Sequence, residues 1–357
     1  MTCGVIAAPS HWREGGALVS FNRQELAMQR RDFLKLGGFA ATTSLVATVA
    51  PMAWGAGSTT AASAGRAPSA LPVLSAAQWR RERRWQHTRF GEIAHVERGS
   101  GPAALFLHGF PLNGFQWRGA LERLAPLRRC LAPDMLGLGY TRVAPGQSVA
   151  PAAQVEMLAE WLDALNIEQV DLVANDSGGA VAQLFAVRFP QRVRSLLLTN
   201  CDSEIDCPPP ALQPVIDLAK EGQFVVQWLA PWLADPVLAR SPQGLGGMTF
   251  TFPQHPDDDT LDMYLRPLVE QPERTHAYAL GLDSNVLAGV EAALRASRMP
   301  ARILWGTGDT IFAAQAPDYL DSVLGHSRGV RRVDGARLFW PEEFPDLIAE
   351  EARALWR

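Results

Sequence analysis

Asp176 and Ser177 stand side by side in the stretch Leu172-Val173-Ala174-Asn175-Asp176-Ser177-Gly178-Gly179. An apolar run enters a turn of small residues there, and helical spacing follows. Either side chain at such a turn, a carboxylate or a hydroxyl, could attack an electrophile. His108-Gly109-Phe110-Pro111 closes an earlier apolar run, and Trp305-Gly306-Thr307-Gly308-Asp309 closes a later one. Asp202 lies just beyond a further run, in Thr199-Asn200-Cys201-Asp202. Three strand ends thus offer carboxylates, and one offers a loop of backbone N–H groups.

The surrounding pattern supplies the elements that must hold these residues. Residues 84–90 and 92–97 alternate like two paired strands around Gly91. Short apolar strands are predicted at 103–107, 130–132, 170–174, 195–199, 302–305 and 329–333, with helices near 117–124, 154–165, 177–187 and 345–355. Apolar strands alternating with helices predict an α/β fold: a mostly parallel, eight-stranded sheet flanked by helices. The core then comprises residues 82–203 and 286–357. Residues 204–285 break the alternation, are rich in Pro, Trp and Leu, and read as an inserted helical lid over the crevice at the strand ends.

The three motifs in this order, after the third, fifth and seventh predicted strands, resemble the α/β-hydrolase family across residues 82–357. The resemblance selects the nucleophile. The family's strained elbow needs small residues two before and two after the reactive side chain. Ala174 and Gly178 meet that requirement around Asp176, whereas Ser177 would put Asn175 at the crowded position. The resemblance assigns Asp309 as the acid of the triad, with Asp202 as the alternative. It assigns the backbone N–H groups of Phe110 and Ser177 as the oxyanion hole. A carboxylate attacking an acyl ester would give a mixed anhydride, a poor intermediate. At a saturated carbon bearing a leaving group it gives an ordinary alkyl ester. The chain therefore looks like the epoxide-hydrolase and haloalkane-dehalogenase branch, acting on a small apolar substrate. Dehalogenases of that branch carry Trp after the nucleophile, where this chain has Ser177. Epoxide hydrolases use lid tyrosines as acids, and Tyr264 and Tyr278 lie in the lid. Trp228, Trp232 and Trp340 are further pocket candidates.

One expected residue is missing. Family members carry a base histidine after the last strand. Aligned on Gly335 and on the Glu342-Glu343-Phe344-Pro345 segment, that position falls at Leu338. No histidine follows His326, which precedes the last predicted strand and would lie roughly 16 Å from the crevice. Glu342 is a candidate substitute base. The departure leaves three readings: a hydrolase with another base, a lyase or isomerase in which Asp176 acts as a base, or a non-catalytic binder.

The chain has 357 residues, 47% of them hydrophobic and 20% charged, and a net charge of −4, which gives no footprint for nucleic acid. No metal or cofactor signature is present, so no cofactor is expected and the partner is a small-molecule substrate. Asp257-Asp258-Asp259 reads as a helix start. Residues 1–64 form a leader: Arg30-Arg31 precedes an apolar stretch at 36–50 and Ala62-Ser63-Ala64, resembling a twin-arginine export signal. The stretch falls short of the ~20 residues of a membrane span. Residues 1–27 read as an over-extended start before Met28, and 65–81 as a linker. Export by the twin-arginine machinery to the periplasm or exterior is expected, with no integral membrane segment in the mature chain. Cys201 and Cys207 could pair there, although folding before export favours free thiols.

Overall fold

The computed structural model describes residues 62–63 and 73–357. The leader therefore lies outside the described residues, apart from Ala62–Ser63. Those two residues form a short strand, β1.

A capping box at Ser75, with Gln78 as its partner, starts helix α1 (Ala76–Glu82). This corrects the linker expected over 65–81, which is helical from Ala76 onward. An antiparallel pair, β2 (Arg84–Thr88) and β3 (Gly91–Arg98), follows. Next come β4 (Ala103–Leu107), α2 (Arg118–Leu124), β5 (Arg129–Pro133), the two-residue β6 (Arg142–Val143) and α3 (Pro151–Ala164). The centre is β7 (Val170–Asp176), α4 (Ser177–Arg188) and β8 (Val193–Cys201). Every residue of β4 and β7 is buried, as the unbroken apolar runs require of strands covered on both faces.

The chain then leaves the sheet for a run of helices: α5 (Gln213–Lys220), a π-turn over Val225–Leu229, α6 (Ala230–Ala234), α7 (Pro236–Arg240), α8 (Leu245–Thr249), α9 (Asp258–Val269), α10 (Pro272–Gly281) and α11 (Glu291–Ala296). Asp257 caps α9 by accepting the Thr260 N–H at 2.8 Å, so the acidic run is a helix start. The sheet resumes with β9 (Pro300–Gly306), α12 (Ala316–Val323) and β10 (His326–Asp334), and the chain closes with α13 (Trp340–Glu343) and α14 (Pro345–Leu355).

The strand order is β1-β10-β9-β8-β7-β4-β5-β3-β2, with β6 paired to β3. The eight longer strands are those expected, most of them extended by a residue or more, and β1 and β6 bring the sheet to ten strands. All pairs from β1 to β5 are parallel. Consequently the ends of β4, β7, β8 and β9 share one edge, and the residues after them meet there. His326 starts β10 opposite Pro300, at the other end of the sheet, and is exposed. Among the described residues no helix is long and apolar enough to cross a membrane.

Candidate active site

Asp176 ends β7 with φ 56° and ψ −138°, a conformation that L-residues adopt only at a cost of about 1–3 kcal/mol. The helix α4 begins at the next residue, so its N-terminus points at the carboxylate. The turn is tight enough to require glycine. A Cβ on Gly178 would come within 2.4 Å of the His108 carbonyl oxygen.

One oxygen of that carboxylate is held twice. Asp176 Oδ1 accepts the Phe110 N–H at 2.9 Å and the Ser177 N–H at 2.5 Å. The Phe110 loop reaches it because position 109 is glycine: a Cβ there would lie 2.3 Å from Asp176 Cβ and 2.8 Å from Oδ1. Burial pushes the Asp176 carboxyl above its ordinary range, and the two N–H groups oppose that. Oδ1 is fixed, and Oδ2 is left to approach a reacting carbon. In an ester formed through Oδ2, Oδ1 becomes the carbonyl oxygen, already facing the donors that stabilise an oxyanion.

The lid closes over this point. Tyr278 Oη lies 3.1 Å from Ser177 Oγ, and its ring stacks on Phe110 at 5.3 Å between centroids. An aromatic row continues from Phe110 through Phe224 to Trp228 and Trp232, with successive centroids 5.8, 5.7 and 5.6 Å apart. These lid aromatics therefore form a continuous row that reaches the Phe110 loop.

The strand ends on either side carry a polar lattice that the sequence did not single out. Asn200 donates to Asp309 Oδ2 at 2.9 Å, while its Oδ1 accepts the Gly306 N–H at 2.7 Å and Trp340 Nε1 at 3.0 Å. Trp340 is thus a fully buried tie, which corrects its expected place in the pocket. Asp309 also accepts the Ile311 N–H at 2.8 Å, and burial, ahead of these donors, pushes it up to about 6. Asn175 accepts Gln116 Nε2 at 2.6 Å and donates to the carbonyls of Asn200 and Leu338, each at 3.1 Å. Asp202 is 6% exposed and follows Cys201, the residue paired with Asp176 across β7 and β8. Cys201 and Cys207 are both free.

Glu342 and Tyr264 are corrected together. Arg118 binds Glu342 at 2.8 Å, the Tyr264 hydroxyl donates to Glu342 Oε2 at 2.5 Å, and His255 approaches within 3.5 Å. Burial, the largest influence, would raise the Glu342 carboxyl, but the Arg118 guanidinium, His255 and the Tyr264 hydroxyl together outweigh it and hold the group below its usual range. A carboxylate so paired is a poor base, and a hydroxyl given to it is not free to protonate a substrate. The apolar residues around Arg118 carry no sequence signal that it must be paired, so this cluster was not legible.

Among the described residues no histidine replaces the missing base. His87 pairs with Glu92, His95 packs on Trp161, and His276 accepts the Val225 N–H. His108 is fully buried and accepts the Met135 N–H at 3.0 Å, with burial pulling its imidazole down. Among the described residues no group of three or more His, Cys, Asp or Glu is placed to hold a metal.

Comparison with known proteins agrees with this fold. A haloalkane dehalogenase of Mesorhizobium japonicum is 44% identical over 105 residues, 29% of this chain and 34% of that protein. The 2-hydroxy-6-oxo-2,4-heptadienoate hydrolase of Pseudomonas putida is 41% identical over 103 residues, 28% of this chain and 37% of that protein. The chain thus spans about a third of the length of these curated relatives. The solved structure of epoxide hydrolase CorEH shares the fold, with a TM-score of 0.63 at 19% identity, over 77% of this chain and 99% of that one. The alpha/beta hydrolase fold family matches residues 102–343, the span that holds the elbow, the Phe110 loop, the lid and the Asp309 turn, and the chain belongs to that family.

Proposed function

We propose that this chain is a hydrolase in which Asp176 attacks a saturated carbon of a small apolar substrate and forms an alkyl ester, in the manner of an epoxide hydrolase. The observation that carries the reading is the pair of backbone donors on Asp176 Oδ1. A carboxylate fixed through one oxygen is preorganised for attack through the other, and its ester is preorganised for attack by water. The side chain of Tyr278, joined to Ser177, supports an epoxide over a halide, because a hydroxyl can hydrogen-bond to a ring oxygen. Incubation with styrene oxide followed by intact mass tests this. Turnover, or an adduct of one substrate mass that Asp176→Asn abolishes, is expected. An adduct retained in Asp176→Asn contradicts the reading.

A halide as the leaving group is the second reading. It is favoured by the 44% identity to a haloalkane dehalogenase over 105 residues and by the indoles of Trp228 and Trp232 on the row leading from Phe110. Free halide from 1-bromobutane would select it. The twin-arginine pattern at Arg30-Arg31 supports export of the chain, and a mature N-terminus just after Ala64 is the expected outcome of N-terminal sequencing.

A further inference from the structure

Asp176, Asp202 and Asp309 all follow the carboxyl ends of neighbouring strands, and their surroundings separate them. Asp309 is occupied by the Ile311 N–H and the Asn200 amide. Asp176 has one oxygen occupied by the Phe110 and Ser177 N–H groups. Asp202 is the outlier. The register of β7 and β8 sets Asp176 opposite Cys201, so Asp202 is the next residue on the adjacent chain, with strands about 4.8 Å apart. Its carbonyl is fixed by Gln183 Nε2 at 2.8 Å. Its side chain is buried, and the side-chain partner it meets is the Cys207 thiol.

The groups that face Asp202 are Asp176 from β7, Cys201 beside it, Asp206 and Cys207 from the segment that follows, and Tyr278 from α10. No cation is among them. Burial, and then the negative charge of Asp176, push the Asp202 carboxyl up to about 8. The charge of Asp176 opposes ionisation of its neighbour.

We propose that Asp202 is the proton-handling group of this site and takes the part of the absent imidazole. This rests on the reading of Asp176 as the nucleophile. In the first half-reaction with an epoxide, Asp176 Oδ2 forms a bond to a ring carbon, the carbon–oxygen bond of the ring breaks, and the ring oxygen receives the Asp202 proton. In the second, water attacks the ester carbon, Asp202 accepts one water proton, and the tetrahedral centre collapses. The carbon–alkoxy bond breaks, and the second water proton leaves with the diol. Asp176 is again a carboxylate and Asp202 again protonated, so one proton shuttles and none is consumed. Esterification itself arms the base. It removes the Asp176 charge, which stabilises the ionised form of Asp202 when water must be deprotonated.

Infrared titration of the buried carboxyl band tests the coupling without a substrate. The wild-type band should disappear as pH passes about 8, Asp202→Asn should lack it, and Asp176→Asn should move the loss to lower pH. A band unaffected by Asp202→Asn, or a midpoint unmoved by Asp176→Asn, overturns the proposal. Styrene oxide with intact mass separates this proposal from the one beneath it. Because Asp202 also supplies the ring-opening proton, Asp202→Asn should form the Asp176 adduct more slowly than the wild type and release it about 100-fold more slowly still. Release at the wild-type rate overturns the role of Asp202 and leaves Asp176 standing. No turnover and no adduct in either protein overturns the nucleophile, and the base role with it.

Discussion

The side-chain amide of Asn175 donates to the carbonyl of Leu338 at 3.1 Å. The position at which the family carries its base therefore lies against the neighbour of the nucleophile, buried and filled by an aliphatic side chain. Leu338 stands where the resemblance expects an imidazole. Leu338→His, made in Asp202→Asn protein, should speed the decay of the Asp176 adduct at least ~10-fold, because general-base assistance is worth 10² or more when well placed. Intact mass against time measures this. An unchanged decay would mean that the loop no longer aims at the ester.

Gly109 admits the Phe110 N–H to Asp176, since a Cβ would approach Asp176 Cβ within 2.3 Å. Gly109→Ala should lower kcat/KM about 100-fold, the usual effect of losing one oxyanion donor, with a stability loss of about 1–3 kcal/mol from overpacking. Steady-state kinetics beside denaturant unfolding separate the two effects. A variant of full activity would remove Phe110 from the oxyanion hole.

Much of this site was legible, and the reasons differ from residue to residue. Asp176, Ser177 and Phe110 were found because a strand–turn–helix with small residues at fixed offsets is local in sequence. The sheet was legible because fully buried strands are unbroken apolar runs. Glu342 was misread because its partner, Arg118, is far from it in sequence and meets it only when α2 packs beside α13. Asn200 went unnoticed because an asparagine inside an apolar strand declares no partner until Gly306, Asp309 and Trp340 are brought to it. Tertiary pairings of single polar residues leave no periodicity to read.

Arg118 is 8% exposed, and its guanidinium is shared between Glu342 and the face of Phe115, 4.1 Å from the ring centre. Arg118→Met should cost about 3–5 kcal/mol by leaving the Glu342 charge buried and uncompensated. Adding Glu342→Gln should recover much of the loss. Urea unfolding of the single and double variants checks this. Equal losses would mean that the pair contributes packing and no electrostatic coupling.

The carboxyl of Asp202 also makes stability depend on pH. Its ordinary value is about 3.9, and in the folded chain it is pushed up to about 8. Between those values the folded state binds the extra proton, so this group's contribution to stability falls as pH rises. Asp202→Asn removes the effect. The variant should gain nothing from this source below about pH 4, gain up to about 1.4 kcal/mol per pH unit above it, and level off past about pH 8. Urea unfolding across that range measures the difference. A gain independent of pH would mean that Asp202 ionises normally.

In the proposed mechanism an oxygen of Asp176 enters the product. A single turnover of styrene oxide in heavy-oxygen water, with enzyme in excess, tests it most directly. The diol should form with ordinary oxygen at the attacked carbon, and the heavy isotope should appear in the peptide containing Asp176. Heavy oxygen in the diol on that first turnover, with the Asp176 peptide unlabelled, would contradict it.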